Sequence, residues 1–131
     1  MRTDKLIFIN KSLATSILAL GMIHEIATFT PFIEDGFSCL SDDYKGVALV
    51  FSLACGSLLM LSGLLLFLFM SKIKEITYLF KPAFIVIVFV LLNGILSVIF
   101  MFDNPFAWIS LFLSLSMVYT VYRLRRNLII I

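Results

Sequence analysis

The chain has 131 residues, a mean hydropathy of +1.13 and a net charge of +2, with 62% hydrophobic and only 14% charged residues. Soluble domains carry about 25% charged residues, and a chain this short has too little interior to hide the excess apolar surface. No basic patch with interleaved exposed aromatic residues is present, which argues against nucleic acid as a partner. The composition therefore predicts an all-α, polytopic membrane protein with a single transmembrane domain over residues 1–131.

Four segments are long and apolar enough to cross a hydrocarbon core, which takes ~20 helical residues. They are predicted at about 13–30, 46–70, 82–102 and 105–122. In lipid they must be helical, because a helix satisfies its backbone polar groups within one segment. The basic residues before position 13 resemble those of a signal peptide, but no small-x-small cleavage site follows. The first segment is therefore predicted to be an uncleaved anchor of a four-helix bundle that contacts the lipid bilayer.

The basic residues predict the orientation of this bundle. Nine of the ten precede the first segment, join the second to the third, or follow the fourth. By the positive-inside rule, that side is cytoplasmic, with both termini inside, and we expect a bacterial inner membrane. The opposite side carries one basic residue, Lys45, and a set of acidic ones: Glu34, Asp35, Asp42, Asp43 and Asp103. The connection at 32–45 holds Cys39 and is long enough for a short helix or a partner contact.

His24 and Glu25 are adjacent inside the first segment, where an ionisable side chain costs ~2.5–3.5 kcal/mol to insert. Ala14, Gly21 and Thr28 recur every seven residues, and Gly21 and Thr28 each lie three or four positions from both His24 and Glu25. One helix face is therefore predicted to carry the small residues and the polar pair together. Small residues let helices approach closely in lipid. This face is therefore predicted to point into the bundle.

The other segments place polar residues at the same depth, roughly 8–14 Å from their outer ends at a rise of ~1.5 Å per residue. In comparison, the inner half offers only Ser62, Ser71 and Ser116. The sequence therefore predicts a polar pocket in the outer leaflet. Its candidate ligand-binding residues are His24, Glu25, Thr28, Ser52, Asn93, Ser97 and Ser110.

Three functions follow from this pocket. The leading one is non-enzymatic: the pocket binds a ligand or a partner helix, or the protein is an accessory subunit of a larger membrane complex. The second is an oligomeric channel or transporter that uses Glu25 and His24 to pass protons or ions. The third is an enzyme acting on a lipid or quinone, with the pair as acid and base. A purely structural role, in which these side chains hold helices together, is the alternative to all three.

No cofactor or metal is expected. His24 as a haem ligand is an alternative, although the chain has a single histidine. Neighbouring residues project ~100° apart on a helix, so His24 and Glu25 cannot readily chelate one small ion together. The string His-Glu-x-x-Thr also lacks the second histidine of a zinc-protease motif.

The Gly21-x-x-His24 spacing, followed by Thr30-Pro31 in the first of four predicted spans, resembles small DoxX-like bacterial membrane proteins. The resemblance implies a four-helix transmembrane bundle with an outer-leaflet cavity. It assigns a role to no individual residue.

Overall fold

A computed structural model describes residues 3–31, 36 and 38–129, which form four long helices. They are α1 (Thr3–Thr28), α2 (Asp42–Lys72), α3 (Phe80–Phe100) and α4 (Pro105–Ile129). A 3-10 turn at Thr77–Leu79 leads into α3, and no strand occurs in the described part of the chain. The four predicted helices and the all-α class are confirmed.

Each helix is long and apolar enough to cross a membrane. Their bounds differ from the predicted ones. The first helix begins at residue 3 rather than 13, and the fourth ends at residue 129 rather than 122. The second covers 42–72 rather than 46–70, and the third covers 80–100 rather than 82–102. Hydropathy marks only the apolar part of a helix, whereas its backbone hydrogen bonds continue through polar and charged residues at the ends.

The helices form a ring in which each packs mainly against two others. α1 packs against α2 and α4, and α3 packs against α2 and α4. The α1–α2 contact is the most extensive and the α2–α3 contact the least. We call the end that holds Thr28, Asp42 and the 101–104 turn the cavity end, and the opposite end, with Thr3 and the 73–79 connection, the basic end.

Glycines bring the backbones of α1 and α2 into direct contact. A Cβ atom at Gly21 would lie 2.7 Å from the backbone N of Met60. A Cβ atom at Gly63 would lie 2.5 Å from the backbone N of Leu18 and 2.8 Å from the carbonyl O of Ala14. The small-residue face predicted for the first helix is therefore turned inward, and it meets a second small-residue face on α2.

An apolar core fills the bundle towards the basic end. Its fully buried large side chains are Leu6, Ile17, Leu66, Met70, Ile73, Ile87, Met117 and Leu124. Many large apolar side chains, such as Phe8, Phe51 and Phe112, are instead exposed on the outside of the ring. An outer surface this apolar is what a helix bundle presents to lipid.

One polar pair lies inside this core. Asn10 is fully buried, and its Nδ2 donates to the carbonyl O of Leu6 at 2.8 Å. The hydroxyl of Thr120 donates to Asn10 Oδ1 at 2.6 Å, which joins α1 to α4. The polar residues predicted for this half did not include the pair: Asn10 lies before the predicted first span, and Thr120, although inside the predicted fourth span, was not among them. Both residues are buried.

At the basic end, an ion pair between Asp4 and Lys74 links the start of α1 to the connection that follows α2. Lys72 and Glu75 form another, at 3.0 Å. All four side chains are well exposed, so these pairs add little stability in water. Arg2 and residues 32–35 and 37 of the predicted 32–45 connection, with Glu34 and Asp35, lie outside the described residues.

Candidate functional site

A small cavity of about 40 Å³ lies between the four helices near the cavity end. It extends from the level of Leu20 and Leu59 to the α3–α4 turn. All four helices contribute to its wall. The polar residues that line it are His24, Cys55, Asn93, Ser97, Asn104 and Ser110.

A chain of hydrogen bonds holds the His24 ring at the cavity wall. The Thr28 hydroxyl lies 2.9 Å from the His24 carbonyl O, which can accept its proton, and 2.8 Å from Ser52 Oγ, where either hydroxyl can be the donor. Ser52 Oγ lies 3.3 Å from His24 Nε2. Because a hydroxyl both donates and accepts, Ser52 can pair with either neutral tautomer of the ring.

Asn93 has weak partners. Its Nδ2 lies 3.7 Å from Cys55 Sγ, and the thiol lies 3.9 Å from Asn93 Oδ1. Sulfur is a poor donor and a poor acceptor, so these contacts leave most of the hydrogen-bonding capacity of the amide unused. Asn93 can therefore bind a group that enters the cavity.

Ser110 is the most informative residue of the cavity. Its side chain is only 6% exposed, and its Oγ has no hydrogen-bond partner in the described part of the chain. One turn further along α4, Ser114 donates to the carbonyl O of Leu111 at 2.8 Å. A buried hydroxyl without a partner costs ~1–3 kcal/mol. We expect a water molecule or a ligand atom inside the cavity to supply the missing hydrogen bond.

Glu25 lies elsewhere. Its carboxylate accepts a hydrogen bond from the Ser57 hydroxyl at 2.7 Å, on the outward side of the α1–α2 contact. It does not line the cavity, because adjacent helical residues project ~100° apart and His24 takes the inward direction. Both residues were predicted to line the pocket, but of the two only His24 does so.

The structure gathers the other sequence-predicted residues into one region. His24, Asn93, Ser97 and Ser110 share the cavity, while Thr28 and Ser52 adjoin it through their hydrogen bonds to His24. The sequence prediction left out Cys55 and Asn104. Cys55 lies three residues after Ser52, on the same side of α2, which is the signal that could have found it.

The cavity wall carries no carboxylate, lysine or arginine among the described residues. No three His, Cys, Asp or Glu side chains of residues 3–31, 36 and 38–129 are grouped so as to hold a metal ion. Haem ligation by His24 stays an alternative to the expectation that no cofactor binds. The polar groups that are present suit a neutral molecule that accepts and donates hydrogen bonds.

No family model, curated protein or solved structure matches this chain. The resemblance to DoxX-like proteins therefore stays a prediction that depends on one short stretch and the helix count.

Proposed function

We propose that this is a non-enzymatic, multi-pass cell-membrane protein whose cavity, on the outer side, binds the hydrogen-bonding head group of a neutral lipophilic ligand. Four apolar helices support the membrane location, and the nine basic residues on one side support cytoplasmic termini. The observation that carries the binding proposal is the buried, unpartnered hydroxyl of Ser110.

The size of the cavity limits what enters it. Sites for drug-sized ligands measure ~300–1,000 Å³, whereas this cavity measures about 40 Å³. It admits a few atoms, such as a carbonyl or hydroxyl group, while the apolar remainder of the ligand stays outside. Without ligand, the same space suits ordered water, which needs polar partners and at least ~10–15 Å³.

The chemistry of the wall selects a neutral head group. A neutral His24 ring offers one donor and one acceptor, the Asn93 amide donates and accepts, and the Ser110 hydroxyl does either. A charged head group would lose its hydration without meeting an opposite charge, which is the costly case for burial.

The positions of His24 and Glu25 favour binding over proton transfer. The two side chains point to different surfaces of α1, and Ser57 holds the carboxylate away from the cavity. The channel, transporter and enzyme functions therefore stay alternatives, and no contact among the described residues favours them.

The test compares the binding of three ligands that carry the same decyl chain and differ in their head group. Decylubiquinone and 1-decanol are neutral probes and decyl phosphate is the charged control, each titrated into the full chain in nanodiscs. We expect the neutral probes to bind and decyl phosphate to bind at least about tenfold more weakly. One hydrogen bond is worth ~0.5–1.5 kcal/mol, so Ser110→Ala should weaken neutral binding by about two- to tenfold.

Ser116→Ala is the matched control, since Ser116 lies on the same helix and does not line the cavity. It should change binding by less than about twofold on the same hydrogen-bond scale. Equal losses in the two serine variants, or decyl phosphate binding as tightly as decanol, would refute the proposal.

A further inference from the structure

A groove runs along the outside of the bundle between α3 and α4, at the basic end. It consists of two adjoining hollows of about 330 and 530 Å³. Phe80, Phe84 and Arg125 line both, which makes the hollows one continuous surface. The groove lies at the opposite end of the bundle from the His24 cavity.

The walls of the groove are apolar and aromatic over most of its length. Leu115, Val118, Tyr119 and Tyr122 of α4 face Phe80 and Phe84 of α3. Leu115 and Arg125 are ten residues apart, which is ~15 Å along a helix. That length is about half of a ~30 Å hydrocarbon core, so the groove spans the depth of one leaflet.

Two cations stand where the groove meets the basic end. Lys81 and Arg125 line the same hollow, together with the hydroxyl-bearing Thr77. Lys81 Nζ lies 5.0 Å from the centre of the Tyr78 ring. Neither cation forms an ion pair with a carboxylate of the described residues. Both are therefore available to an anionic group that accepts from guanidinium and ammonium donors, as a phosphate does.

We propose that this groove binds one anionic glycerophospholipid of the cytoplasmic leaflet. The phosphate lies between Lys81 and Arg125, and an acyl chain lies against Phe84 and Leu115. A phospholipid matches the groove because it joins an anionic phosphate to an apolar chain of this length and is present in the membrane around the bundle. The site depends on the membrane insertion proposed above, but it is independent of the outer cavity.

The test is lipid retention by the full chain, measured by native mass spectrometry after release from micelles. The probes are phosphatidylglycerol and phosphatidylcholine with the same palmitoyl and oleoyl chains. We expect wild-type protein to retain phosphatidylglycerol on the order of tenfold better, since each basic residue near a membrane surface adds a favourable contribution. The double variant K81Q/R125Q should lose this preference and retain both lipids equally.

The matched control is K5Q/R126Q, which removes the same charge from the same end at exposed residues that do not line the groove. It should keep the preference within about twofold of wild type. Equal loss in both double variants would refute a defined site, because surface charge alone would then explain retention. Displacement of the lipid by equimolar glycerol phosphate, which lacks the acyl chain, would also refute a defined lipid site.

Two further variants separate the parts of the proposal. Leu115→Trp fills the apolar groove at an exposed position, so the fold should be kept. It should reduce retention of both lipids at least about threefold. Unchanged retention would overturn the placement of the acyl chain. Ser110→Ala alters the outer cavity and should retain lipid as the wild type does. A loss of neutral-probe binding in Ser110→Ala with unchanged lipid retention confirms that the two sites are distinct.

Discussion

The carboxylate of Glu25 lies directly against Gly56: a Cβ atom at Gly56 would stand 2.8 Å from Glu25 Oε1. The missing side chain makes room for the carboxylate next to α2, where the Ser57 hydroxyl donates to it. Helix α2 therefore accommodates the Glu25 side chain in two ways: Ser57 donates a hydrogen bond to it, and Gly56 leaves the space that it fills.

Gly56→Ala should displace Glu25 and uncouple it from Ser57. The obstructing atoms belong to a side chain that can rotate, so the loss of the hydrogen bond, ~0.6 kcal/mol between membrane helices, is offset by the better helix propensity of alanine. We expect a free energy of unfolding within about 1 kcal/mol of wild type.

The diagnostic measurement is a double-mutant cycle in detergent micelles. Ser57→Ala should destabilise the wild type by about 0.6 kcal/mol and have no effect in the Gly56→Ala background. An equal effect of Ser57→Ala in both backgrounds would contradict the contact.

Gly63→Ala should be much more costly. Its Cβ would meet the backbone of α1 at Leu18 and Ala14, and no rotation of a side chain relieves that contact. The helices must separate, and overpacking of this kind costs about 1–3 kcal/mol. Thermal unfolding followed by circular dichroism measures it.

Gly46→Ala is the control for helix propensity, because a Cβ there has nothing within 4 Å. It lies on the same helix and should be neutral or stabilising by up to about 1 kcal/mol. Similar destabilisation at positions 46 and 63 would show that the close approach of α1 and α2 is not the cause.

Thr120→Val should destabilise the bundle by about 1–2 kcal/mol, because it leaves the buried Asn10 Oδ1 without its donor. Thr15→Val is matched to it, since the Thr15 hydroxyl bonds only to the carbonyl O of Lys11 in its own helix and is exposed. The control should change stability by less than about 0.5 kcal/mol. If Asn10→Leu restores the stability lost in Thr120→Val, the loss came from the unpaired Asn10 amide. If the two substitutions lower the free energy of unfolding additively, the Asn10–Thr120 hydrogen bond is contradicted.

The proposed orientation predicts opposite accessibility of two thiols. Cys39 is exposed in the connection between α1 and α2, so a membrane-impermeant maleimide should label it on intact bacterial cells. A cysteine introduced as Arg126→Cys, in a Cys39→Ser background, should be labelled only after permeabilisation. Labelling of the introduced cysteine on intact cells, with Cys39 protected until permeabilisation, would place the termini outside.

Much of the fold could be predicted from the sequence. Four long apolar stretches separated by polar connections have few alternatives in lipid, since each must form its own helix. The heptad spacing of Ala14, Gly21 and Thr28 likewise predicted which face of α1 turns inward, because periodicity along a helix directly gives its faces. Helix ends were less predictable, because Asn10 and Lys11 lower the hydropathy without interrupting the backbone hydrogen bonds.

The sequence by itself determined the helix count, the inward face of α1 and the level at which His24, Asn93, Ser97 and Ser110 meet, because spacing and depth are properties of one helix at a time. Only the tertiary structure decided that His24 faces the cavity while Glu25 faces Ser57, and that Asn10 meets Thr120. Those outcomes depend on the rotation of each helix about its axis relative to its neighbours. That rotation is set by how closely the backbones of α1 and α2 approach at Gly21 and Gly63, which are contacts between residues far apart in the sequence.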